Sequence, residues 1–199
     1  MQLKRMNSAA LVLILLLRLT PALAREYDVN LQAKRDVRFR STTDVNEFEG
    51  VTDHIDGYVL LPDTAPPLGE DAKDSELHFE VELASLDTGI GLRNRHMRDN
   101  YLQVEKYPYA VFSGTVAHVE SASGDTLQVT AKGEMQIHGK KKQMSIPCTV
   151  SPEDSGYRVH GAFTVLLSDF DISIPKIMFL QLDNEIHLEV DFAVEPIKD

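Results

Sequence analysis

TLQVTAKGEMQIHGKKKQMSIPCTV, residues 126–150, alternates apolar and polar side chains on both sides of a basic turn. Leu127, Val129, Ala131, Met135 and Ile137 fall on one face, against Gln128, Thr130, Lys132, Glu134 and Gln136 on the other. After HGKKK, Met144, Ile146, Cys148 and Val150 resume the apolar face. A period of two marks a strand with one wet face, and His-Gly followed by lysines marks the loop of a hairpin.

The same rhythm runs through most of the chain. ELHFEVEL (76–83), YRVHGAFTVLL (157–167) and EIHLEVDFAV (185–194) alternate in the same way, and weaker strands are expected at Tyr27–Leu31, Asp36–Thr42, Phe48–Leu61, Tyr109–Glu120 and Lys142–Val150. About nine strands, each with one wet face, pair antiparallel, since parallel pairing needs crossover helices for which there is no room. Long strands with apolar inner faces close into a barrel, which removes exposed edges. Gly57, Gly114, Gly133 and Gly161 interrupt strand patterns, where glycine marks bends or bulges. SASGD and HGKKK read as hairpin loops and SPEDSG as a longer one, while Pro62–Ser75, rich in Pro, Gly and acid, reads as a mobile loop.

The N-terminus follows different rules. Lys4 and Arg5, the apolar run Ala9–Leu17 and Ala22-Leu23-Ala24 form the pattern of a secretory signal. The expected organisation is a signal at 1–24, cleaved after Ala24, and one domain over 25–199, periplasmic or secreted and without an integral membrane segment once the signal is gone. The 199 residues carry a net charge of -11. The first 24 hold Lys4, Arg5 and Arg18 and no acid, so their removal leaves -14. That balance argues against nucleic acid, whose phosphates need a basic surface, and against peripheral binding to anionic membrane. Cys148 is the only cysteine, so no intramolecular disulfide forms. Its phase in MSIPCTV makes it a core thiol rather than a nucleophile.

One stretch breaks the strand rhythm. In LRNRHMRDNYLQVEKYPYAVFSGTV (92–116), Met97, Tyr101 and Val104 recur at helical spacing and Pro108 stops the helix before Tyr107. The helix carries Arg93, Arg95, His96 and Arg98 in a chain that is otherwise acidic. Across a gap between two strands, it would plug or rim one barrel end.

These segments carry a resemblance. ASLDTG, then RNRHMRDNYL, then EKYPYAVFSG, then GEMQIHGKKKQMSIP, and finally LSDFDISIP resemble, in this order, recurrent segments of the YceI-like family of exported, polyisoprenoid-binding proteins. The resemblance spans about Tyr27 to Val194. It implies an all-β fold, an antiparallel lipocalin-like β-barrel with one short helix at a barrel end. It also implies an isoprenoid lipid as partner, a polyprenyl phosphate or a quinone, and does not imply catalysis. PKIMFLQLDN (175–184) departs from it in being unusually apolar for an exposed connection, and would close the mouth or touch a ligand.

The candidate site follows. Phe39, Phe79, Val81, Phe112, Met135, Phe163 and Phe192 face inward and would line an apolar cavity. A barrel of about this strand number is near the size at which side chains either fill it or leave room for one ligand. Arg93, Arg95, His96 and Arg98 would meet an anionic headgroup at the rim, or simply form a solvated face with Arg95 paired to Asp99. His78-x-Glu80 and His187-x-Glu189 project outward and make no closed metal set. No nucleophile elbow, phosphate loop or zinc-protease motif occurs, so neither a catalytic residue nor a cofactor is expected. The reading is an exported carrier or storage protein for an isoprenoid lipid. The alternative is a non-catalytic interaction protein with a filled barrel and an acidic outer surface.

Overall fold

The computed structural model describes residues 25–43, 47–62, 69, 72–177 and 180–197. The expected signal at 1–24 and most of the acidic loop after Pro62 lie outside the described residues. The strands are β1 (Arg25–Val29), β2 (Asp36–Thr42), β3 (Glu47–Thr52), β4 (Ile55–Leu61), β5 (Ala72–Glu82), β6 (Tyr109–Ser123), β7 (Thr126–Ile137), β8 (Lys140–Glu153) and β9 (Gly156–Leu166). A two-residue pair follows, β10 (Lys176–Ile177) and β11 (Leu180–Gln181), and then the long β12 (Glu185–Pro196).

All pairings are antiparallel. The order β1-β4-β5-β6-β7-β8-β9-β12 returns from β12 to β1, which closes an eight-stranded barrel. β12 makes this closure possible by its length. One edge pairs with β9 from Glu185 to Val194; the other is shared, His187–Asp191 with β2 and Val194–Pro196 with β1. The β2–β3 hairpin therefore extends the wall above β1. Its free edge is covered, because Val51 and Asp87 exchange both backbone hydrogen bonds at 2.9 Å.

Local chemistry explains the turns. His138 and Gly139 both take positive φ, 51° and 72°, the combination a tight two-residue hairpin needs. Gly139 also lies against the Tyr107 ring, leaving no space for a Cβ. Gly114 and Gly133 are cross-strand partners whose backbones approach so closely that a Cβ on either would collide with the other strand. That close approach bends β6 and β7 round the barrel.

Three expectations need correcting. Phe48–Leu61 is two strands, broken at Asp53 and His54. SPEDSG is a tight turn, since β8 runs to Glu153 and β9 starts at Gly156. The end of the expected loop Pro62–Ser75 belongs to β5. There the register shifts between Ala72 and Leu77, and the buried Ser75 hydroxyl donates to Ala72 O (2.5 Å) and accepts from Val116 N–H (2.8 Å). A side chain thus replaces a ladder contact at a bulge, so polar residues continue a strand.

The interior has two halves. At the end away from the helix, Tyr27, Val29 and Val194 pack against Val37, Ile55 and Phe192. Leu77, Val116 and Val119 are buried in the neighbouring cluster. Towards the helix a cavity opens among the inward side chains.

Candidate ligand-binding site

The cavity holds about 900 Å³. That is near the top of the range of roughly 300–1,000 Å³ common for small-molecule sites. Phe39, Phe79, Val81, Phe112, Met135, Phe163 and Phe192 all line it. Val37, Ile55, Phe79 and Phe192 form its floor, where it meets the packed half. Phe39 lies over Gly50, where a Cβ would strike its ring, and meets Phe48 edge to face at 6.2 Å. Near the mouth, Phe170 and Ile172 come from the segment after β9, where Asp171 takes a left-handed turn (φ 54°). The lining is almost wholly apolar. Ser41 is an exception: it is fully buried at the cavity wall, and its hydroxyl has no hydrogen-bond partner among the described residues.

Cys148 also lines the cavity, as its phase on β8 requires. Burial pushes its thiol up to about 11, so the group is held as an inert SH. The outward histidines find other partners: His78 Nδ1 lies 3.0 Å from Ser113 Oγ and His187 Nδ1 3.0 Å from Thr164 Oγ1.

The mouth is built by the connection between β5 and β6. After a 3₁₀ turn at Leu83–Ser85 the chain bridges to β3 through Asp87, then enters helix α1 (Gly91–His96), which continues as a π-helical segment over Met97–Leu102. The helix stops at Gln103, in left-handed conformation (φ 49°), earlier than the position dictated by Pro108. The wider i→i+5 winding turns Leu102 to the cavity beside Met97 and Tyr101; Val104, beyond the helix, does not line it.

Asn94, which sequence reasoning passed over, ties this loop together. Its buried amide accepts from Thr88 N–H (2.9 Å) and Thr88 Oγ1 (2.7 Å) and donates to Asp87 Oδ1 (2.6 Å), which also accepts from Gly89 N–H (2.8 Å). The Asn94 and Gly89 hydrogen bonds hold the Asp87 carboxyl below its ordinary range, with a smaller contribution from Arg98. The signal was an asparagine between two arginines, and nothing in the spacing showed that it points inward.

The four rim residues separate. Arg93 and His96 line the cavity, and the Arg93 guanidinium sits 5.2 Å from the centre of the Phe48 ring. Arg95 is exposed and is not among the lining residues. Arg98 turns into the loop, where Nη2 donates to Leu86 O (3.1 Å) and the buried Nε has no partner among the described residues. No Arg95–Asp99 ion pair forms among the described residues. The apolar 175–184 connection makes the β10–β11 hairpin. Pro175, Lys176 and Leu182 from this connection line the cavity, and it is held by Asp183 N–H to Thr42 O (2.8 Å). Asn184 fixes its far end, bonding Ser168 N–H (3.0 Å) and Ser168 Oγ (2.9 Å).

This combination of a barrel hollow at one end and a helix-and-hairpin mouth can be set beside known proteins. The family model described as the YceI-like domain matches residues 27–194. The chain belongs to the YceI-like family. Solved structures with the same fold include BcnA of Burkholderia cenocepacia, 21% identical, with a TM-score of 0.66 and coverage of 83% of this chain and 98% of that one. A polyisoprenoid binding domain from Saccharophagus degradans is 15% identical, with a TM-score of 0.65 and coverage of 86% and 98%. The YCEI protein of Campylobacter jejuni is 18% identical, with a TM-score of 0.56 and coverage of 78% and 88%. No curated protein matches the chain. Among the described residues of this YceI-like chain, no helix is long and apolar enough to cross a membrane.

Proposed function

We propose that this YceI-like protein is an exported carrier or storage protein that holds one isoprenoid lipid, its tail in the barrel cavity and its head at the mouth. The observation that carries the reading is the cavity of about 900 Å³, whose lining is mostly apolar and also includes the basic side chains of Arg93, His96 and Lys176. Burying a hydrocarbon tail gains about 0.8 kcal/mol per carbon. A branched chain held by Phe39, Phe79, Phe112 and Phe163 therefore needs no polar contact along its length. The head end has three basic side chains, which favours a polyprenyl phosphate over a quinone. The hollow half of the barrel disfavours the alternative of a filled interaction module.

Calorimetric titration of delipidated protein with geranylgeranyl phosphate tests the reading. One molecule should bind per chain, with a negative heat-capacity change from apolar burial. Absence of binding, or binding with no heat-capacity change, refutes it.

A further inference from the structure

Leu92, at 61%, is the most exposed large apolar side chain among the described residues, and Ile90 is 49% exposed. Both also line the cavity. Apolar lining therefore reaches the outer surface at the start of α1, beside Arg93 and His96.

We propose that this lip docks on an anionic phospholipid bilayer, so that a tail moves between bilayer and cavity without crossing water. The inference rests on the cavity being a lipid site and adds the surface through which it is loaded. Its charge argument is local. Arg93, Arg95 and His96 stand beside Leu92 in sequence, and Lys176 lies at the cavity edge. Glu47 is the acid that lines the mouth, and Asp87 is already engaged by Asn94 and Gly89. The chain as a whole is the opposite, with a net charge of -11. The turns at the far end carry Asp125, Glu153 and Asp154. An anionic surface repels the far end and accepts the mouth, so the acidity that argued against membrane contact instead orients it.

Sedimentation with vesicles tests this. Wild-type protein should bind phosphatidylglycerol–phosphatidylcholine vesicles at least tenfold more tightly than phosphatidylcholine alone, and lose that advantage in high salt. Ile90→Asp with Leu92→Asp should lose at least tenfold, and Arg95→Ala about fivefold, the share of one interfacial cation. Arg95→Ala should still take up dissolved geranylgeranyl phosphate normally. Wild type that binds the dissolved lipid but ignores both vesicles overturns the docking alone. Variants that sediment like wild type, or a lip that only pairs copies of the chain and does so without vesicle binding, also overturn it. Vesicle binding through the lip by a protein that binds no dissolved isoprenoid supports docking and removes the lipid-holding reading instead.

Discussion

Phe79 and Phe192 meet ring to ring, with centroids 5.0 Å apart and planes tilted by 58°, at the level where the solid half of the barrel becomes hollow. Phe192 is only 3% exposed and packs among Tyr27, Val29 and Val194, whereas Phe163 is partly buried higher on the cavity wall. Phe192→Ala should therefore cost about 3–5 kcal/mol in the lipid-free protein, since most of its ring packs against Phe79 and the solid half and only its upper side meets the cavity. Phe163→Ala should cost less than about 2 kcal/mol, since part of its ring faces empty space. Urea unfolding of both variants checks this, and equal losses would mean that Phe163 packs against protein.

Acid should loosen the mouth before the barrel. The fold favours ionised Asp87, so its contribution is complete above the ordinary aspartate value of about 4 and is lost as pH falls through the lowered folded value. Below about pH 4 the Thr88 and Gly89 amides should exchange faster relative to amides of β7 and β8, once intrinsic rates are divided out. Asn94→Ala should produce the same local opening at neutral pH with little change in global stability. Uniform protection at all pH values would show that the Asp87–Asn94 contacts do not hold the loop.

Cys148 reports on the cavity. With its thiol pushed up to about 11, roughly a thousandth is thiolate at pH 8. Iodoacetamide should modify native protein far more slowly than denatured protein, and more slowly again when the cavity is filled. A native thiol that reacts at the denatured rate would place it outside the cavity wall.

Arg93 and Arg95, two residues apart, should behave differently towards dissolved ligand. Arg93→Ala removes a cation at the cavity edge and should weaken a polyprenyl phosphate about ten- to a hundredfold, the value of a charged hydrogen bond of roughly 1.5–3 kcal/mol. A neutral quinone with an equal tail should change by less than about threefold, and Arg95→Ala should change neither. Equal losses for the two ligands with Arg93→Ala would mean that its guanidinium only supports Phe48.

The fold was legible because the strands alternate over long spans: 126–150 shows its register, its turn and the inward course of Cys148. The β5 bulge was not, because Asp74 and Ser75 look like loop residues until the Ser75 hydroxyl is seen replacing a ladder contact. Alternation says which side chains point inward, but not which of them meet across the barrel, so the division at Phe192 was hidden. The rim was only half legible. A charged helix of known sequence does not reveal its rotation about its axis, which is set here by the buried Asn94 and by the π-helical turn. That rotation brings Arg93 and His96 to the cavity and sends Arg98 into the loop.

Native mass spectrometry of the protein recovered from an exporting host, followed by organic extraction, tests the central claim most directly. The account predicts a species heavier than the polypeptide by one isoprenoid lipid, released by the solvent and identified as a polyprenyl chain. Protein that flies at its polypeptide mass alone, or carries only straight-chain fatty acids, would contradict it.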